Sequence, residues 1–183
     1  METLNQTITK WVIDPAHSEI QFKVKHLMIT TVTGSFTSYE ADVETAGDDF
    51  ATAKILVKIN TSSVTTGSDQ RDGHIKSPDF FDPEKYPVMT FKSTAIKKVD
   101  EKGSYEMAGD LTIKDITKPI RLAVEYSGKM KDPWGSMKAG FLISGKINRG
   151  NWNLSWNAAL ESGGVLVSDE VRIVCEVQLA KQA

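Results

Sequence analysis

Cysteine is almost missing from this chain: Cys175 is the only one. It can make no internal disulfide, which fits a reducing compartment. No segment approaches the ~18 consecutive apolar residues of a membrane helix. Met1 to Trp11 also lacks the apolar run of roughly 7–15 residues that a secretory signal carries. A soluble, cytoplasmic protein with no membrane span is therefore expected. Charge of one sign is missing too, with 22 Lys and Arg against 24 Asp and Glu, a formal net charge of −2. Such a balance creates no field that would gather a polyanion, so no nucleic-acid partner is expected. Glycine-rich phosphate loops are absent: neither the dinucleotide fingerprint nor the Walker pattern occurs, which removes the minimum requirement for ATP or dinucleotide binding. Histidine is scarce as well. His17, His26 and His74 are the full set, and no two stand at a known metal-ligand spacing, so neither a metal nor another cofactor is expected.

What the chain does have is alternation. Ile20, Phe22 and Val24 share one parity while Glu19, Gln21, Lys23 and Lys25 share the other, the pattern of a strand with one buried and one wet face. Ala53, Ile55, Val57 and Ile59 repeat it, with Leu56 the one lapse. So do Tyr105, Met107, Gly109, Leu111 and Ile113, then Leu122 and Val124, Phe141 and Ile143, and finally Val171 to Leu179. A change of apolar parity between Phe36 and Tyr39 predicts a bulge or bend. About eight strands with no helical pattern of ten residues between them predict an all-β fold, a single antiparallel eight-stranded barrel, since closure removes exposed edges. Gly109 and Gly145, inside strands, fit tight bending or a ligand approaching the backbone. One domain, residues 11–183, is expected after an N-terminal tail of residues 1–10.

One long stretch breaks the alternation. From Asp69 to about Asp82 the polar and charged residues, with Pro78 among them, leave room for at most a short helical insertion. Phe80, Phe81 and Tyr86 follow within seven residues, and three aromatics of ~150–250 Å² each do not all lie on a solvated loop. The segment reads as a lid on whatever the strands enclose.

Catalytic constellations are weak. Asp14, His17 and Ser18 offer the residue types of a hydrolase triad, but adjacency in sequence, with no nucleophile elbow, favours a turn. Arg71, Asp72 and His74 read as an ion pair and cap fixing the insertion. A hydrolase or metal-dependent enzyme would need His17, Asp72 and His74 to converge in one cleft. The apolar one-face set, including Phe22, Val24, Phe36, Ile55, Val57, Phe91, Leu111, Ile113, Leu122, Phe141 and Ile143, either fills a core or lines a pocket. Buried among apolar neighbours, Cys175 reads as a core thiol rather than a nucleophile.

The succession Trp11-Val12-Ile13-Asp14 with His17-Ser18, Gly34 with Phe36, Arg71-Asp72 with His74 and Asp79-Phe80-Phe81-Asp82, Tyr86-Pro87 with Thr90-Phe91, Gly109 with Leu111, Gly140-Phe141, and Ile147-Asn148-Arg149 resembles the YceI-like family, lipocalin-like proteins associated with polyisoprenoid binding. The resemblance runs from Trp11 to Leu179. Where the family follows its arginine with Asp-Phe-Gly, this chain has Asn151-Trp152-Asn153, so a differently shaped loop is expected there. The resemblance implies a hollow barrel, a ligand of the isoprenoid-quinone or polyprenyl-lipid type, no catalytic residue, and a homodimer. With the one-face parities it implies that the residues just named, together with Phe80 and Trp152, line the cavity. A stress-associated module with a solid barrel is the competing non-enzymatic expectation, and it would show no cavity.

Overall fold

A computed structural model describes residues 7–158, 160 and 165–182. Eleven strands form one antiparallel sheet: β1 (Ile8–Ile13), β2 (Glu19–His26), β3 (Thr30–Phe36), β4 (Tyr39–Ala46), β5 (Asp49–Asn60), β6 (Val64–Thr65), β7 (Val88–Lys98), β8 (Ser104–Ile113), β9 (Ile116–Lys131), β10 (Met137–Asn148) and β11 (Val167–Lys181). The ladder runs β1-β4-β5-β7-β8-β9-β10-β11 and returns to β1 through Trp11 opposite Lys181. That ring is the expected eight-stranded barrel. The first strand begins at Ile8, so the last residues of the expected tail belong to the sheet.

Two of the staves are bent. β1 and β2 are successive halves of one, broken by a 3₁₀ turn at Pro15–His17, and both halves pair with β11. β3 and β4 are halves of the next, separated at Thr37 and Ser38, where the parity change predicted a bend. Beyond β4 the closure differs between the two halves. β5 continues the ring beside β4, while beside β3 only the two-residue β6 is paired. Among the described residues no ladder joins β6 to β7. Helix α1 (Asp69–Ile75) and the turns that follow it lead from β6 to β7, which places the predicted insertion at this break.

Strand glycines make room for aromatic rings. A Cβ on Gly34 would stand 2.2 Å from the Phe22 ring of its paired strand, and one on Gly109 would stand 2.3 Å from the Phe91 ring. Phe22 and Phe91 thus lie flat across neighbouring strands where only glycine leaves space. At Gly145 the same test meets Leu122 at 2.6 Å. At Gly109 and Gly145 this corrects the expectation of bending or ligand approach, since the close neighbour is the protein's own side chain.

Candidate functional site

The inward parities of the eight staves meet around a cavity of about 250 Å³. Its wall is almost wholly hydrocarbon; among the described residues Gln21, Tyr105, Arg149 and Cys175 are the only lining residues that carry other chemistry besides the methionines. A barrel of this strand number has room for one small ligand, and here the interior is not filled.

The two ends close by different means. At one end Phe50 stacks on Trp11 at 5.1 Å, on Tyr126 at 5.4 Å and on Phe141 at 4.8 Å between ring centroids. Trp11 is buried and its Nε1 donates to the buried Thr45 Oγ1 at 3.1 Å. Around them Asp48 accepts from Lys129 at 2.9 Å and Lys181 at 3.1 Å, tying the β4–β5 turn to β9 and β11. These two lysines hold the Asp48 carboxyl below its ordinary pKa.

At the other end the lid does the closing. Ser68 caps α1 by accepting from Arg71 N, and Asp72, buried in the first turn, accepts from both Thr66 N (2.8 Å) and Thr66 Oγ1 (2.6 Å). Those bonds lower the Asp72 pKa, since they favour the carboxylate. Arg71 donates to Thr66 Oγ1 and O, so the expected Arg71–Asp72 ion pair is replaced by a shared grip on Thr66. After the helix, Phe80 and Phe81 turn to the cavity, Phe81 meeting Phe36 edge-on at 5.7 Å. His74 sits against both Phe80 (5.1 Å) and Trp156 (4.5 Å), and its Nε2 is 2.9 Å from Asp79. Tyr86 lies outside the cavity wall, half-buried.

Trp156 belongs to the loop after β10, which is organised by Arg149. This arginine is 3% exposed. Nε donates to Ser168 O at 2.9 Å, Nη1 to Trp156 O at 2.9 Å and to Leu154 O, and Nη2 to Val167 O at 3.4 Å. Among the described residues its single acidic partner is Asp169, exposed and 3.8 Å away. Burial pushes the arginine's pKa down, and Asp169 opposes that shift. Five N–H groups in a planar fork are what such an array of carbonyls requires.

Of the residues expected to line a cavity, Phe22, Phe36, Ile55, Val57 and Phe80 do so, as do Phe91, Leu111, Ile113, Leu122, Phe141 and Ile143. Val24 does not: it pairs with Val32 and with Val171, which does line the cavity, but Val24 itself borders a second groove beside Lys23, Lys25 and Met28. Trp152 does not either. It is 1% exposed, with Nε1 donating to Leu111 O at 3.0 Å, so its ring is committed to fastening the loop to β8. Asn153 beside it takes the left-handed conformation (φ 59°), the role a glycine would fill in the family's usual sequence.

Sequence parity missed several lining residues. Phe50 and Ile96 lie next to register shifts, at Glu44/Ala46 and Ser93/Ala95, which change the inward phase. Met89 and Met107 were on the right parity and could have been included. Cys175 lines the cavity, and desolvation pushes its pKa up to about 11, which leaves a thiol rather than a nucleophilic thiolate at neutral pH.

The residues of the enzymatic alternative are held by three separate sets of partners. His17 Nδ1 lies 3.0 Å from Asp14 on the exposed 3₁₀ turn, Asp72 is bound by Thr66, and His74 by Asp79. Among the described residues no group of three or more His, Cys, Asp or Glu is arranged to hold a metal ion. No helix among them is long and apolar enough to cross a membrane.

A closed antiparallel barrel around an apolar cavity defines a lipocalin-like barrel. Within that class the chain belongs to the YceI-like family: the model of the YceI-like domain matches residues 11–179. A UPF0312 protein of Staphylococcus aureus (strain N315) is 38% identical over 174 residues, 94% of this chain and 98% of that protein. The crystal structure of the Campylobacter jejuni YceI protein is similar at 34% identity and a TM-score of 0.72, over 93% of this chain and 96% of that one. A polyisoprenoid binding domain from Saccharophagus degradans shares the fold, with a TM-score of 0.65 at 16% identity, over 94% of this chain and 98% of that one.

Proposed function

We propose that this protein binds or carries a long apolar molecule, an isoprenoid quinone or polyprenyl lipid, inside the barrel without acting on it chemically. The observation that carries this reading is the cavity. An unfilled apolar void of about 250 Å³ costs on the order of 6 kcal/mol at ~24 cal/mol per Å³. A fold of ordinary stability has little such margin to lose without a use for the space. A prenyl chain fits the wall chemically, because each buried CH₂ gains roughly 0.8 kcal/mol and needs no directional partner. Membership in the YceI-like family and the fold shared with a polyisoprenoid binding domain support the same reading.

The test is native mass spectrometry of protein purified from its own host, followed by organic extraction. A stoichiometric polyprenyl or quinone mass is expected. An apo mass, together with failure to take up added quinone or prenyl lipid, would overturn the reading. We further propose a cytoplasmic homodimer, which fractionation and light scattering would check.

A further inference from the structure

Two tight turns of the same backbone type sit at the lidded end of the barrel, and they are filled in opposite ways. The β8–β9 turn places Lys114 (φ 53°) and Asp115 (φ 60°) in the left-handed region. The β2–β3 turn does the same with Leu27 (φ 53°) and Met28 (φ 59°), closed by Ile29 N donating to His26 O at 3.2 Å. Such turns favour Asn and Gly, and bulky apolar residues are the costly choice. Burial recovers little of that cost at Met28 and Ile29, which are 60% and 76% exposed, while Leu27 is 37% exposed. Polar residues satisfy the same geometry at the neighbouring turn, so the apolar ones are there for something outside the chain.

The surroundings indicate what. Met28 borders a groove with Lys23, Lys25 and Arg172. Among the described residues none of these three cations makes an ion pair, while Glu170, the one carboxylate in the groove, stands 3.8 Å from Lys146. Val165, also exposed, belongs to the same end, where Leu27 N donates to Leu166 O at 2.9 Å. We propose that this tip docks the lidded end of the barrel on an anionic lipid bilayer, with Leu27, Met28 and Ile29 entering the acyl boundary and Lys23, Lys25 and Arg172 meeting the headgroups. Modest apolar insertion joined to a basic rim is the two-part signal that reversible membrane binding needs. The rival apolar tip, Trp134 (88% exposed) near Met130 at the opposite end, has a thinner rim: Lys129 and Lys138 are paired with Asp48 and Asp14, which leaves Lys131 as the one lysine of that β9–β10 hairpin end without an ion pair among the described residues. Docking is independent of what the cavity holds; passage of a prenyl chain from bilayer to barrel would rest on the function proposed above.

The experiment is vesicle flotation of the full chain on equal parts phosphatidylcholine and phosphatidylglycerol, and on phosphatidylcholine alone. Binding is expected on the anionic vesicles, weakened about tenfold or more by Met28→Ser/Ile29→Ser and by Lys23→Glu/Lys25→Glu, and unchanged by Trp134→Ser. Leu27→Asn/Met28→Gly should raise the melting temperature while weakening flotation, which separates a docking role from a folding one. The proposal is overturned if the wild type ignores anionic vesicles, if Trp134→Ser rather than the tip variants abolishes flotation, or if the tip variants dissolve a dimer without changing flotation. The extraction experiment reads the cavity separately, so failure of either proposal leaves the other standing.

Discussion

The barrel's two ends show how one sheet can be permanently shut on one side and closed by a separable piece on the other. At the sealed end the closing groups are side chains of the strands themselves: Trp11 on β1, Phe50 on β5, Tyr126 on β9 and Phe141 on β10. Removing them would mean unzipping the sheet. The lidded end is covered by segments outside the ring, α1 with Phe80 and Phe81, and the loop that Arg149 holds. Those segments can shift while every ladder stays paired. If the barrel carries a ligand as proposed, this difference makes the lidded end its expected route, since segments outside the ladders can open at lower cost than the ring.

The largest effect should come from the residue on which the lidded end most depends. Arg149→Ala strips several buried carbonyls of their donor and should cost about 3–5 kcal/mol, read by urea unfolding. A loss under about 1 kcal/mol would mean that the loop holds itself. At the sealed end, Phe50→Ala should cost about 3–4 kcal/mol yet leave the exchange rate of a bound apolar dye unchanged. Phe80→Ala/Phe81→Ala should do the reverse. These rings are half-buried, so stability falls by only about 1–2 kcal/mol, while dye release in stopped flow accelerates about tenfold. Equal acceleration from both sets would erase the distinction between the ends.

The smallest effect is acid sensitivity of the lid. Hydrogen bonds from Thr66 hold Asp72 below its ordinary pKa. A carboxyl with a depressed folded-state pKa stabilises the fold above its unfolded value, near pH 4, and loses that contribution as pH falls through the folded value. Asp72→Asn should therefore be less stable than wild type near neutrality, with the gap narrowing as the pH falls below the ordinary carboxylate range. A gap that persists in acid would show that Asp72 acts through packing rather than charge.

Much of this was legible in the chain. The parities of Phe22, Ile55, Phe91, Leu111 and Phe141 located most of the wall, because alternation is a local property that survives whatever the strands pair with. Pro78 and the clustered aromatics marked the lid for the same reason. Val24 was misplaced although its parity is right and its partner Val171 does line the cavity, because alternation gives the face of a strand and not how far along that strand the cavity reaches. Trp152 was misplaced because a buried aromatic in a loop reads the same whether it faces a ligand or anchors the loop. Phe50 and Ile96 escaped because bulges reset the phase, and a bulge leaves little trace in a single sequence.

By itself, then, the sequence determined an all-β chain with apolar and polar faces, a breaker segment between strands, and a shortage of clustered catalytic side chains, all consequences of near-neighbour spacing. Tertiary structure alone decided that the interior is hollow, that Arg149 feeds carbonyls up to 19 residues away, and that one end is sealed while the other carries a lid. Those features depend on the register of strands far apart in the chain, and the space left between opposed side chains is fixed only when the ring closes.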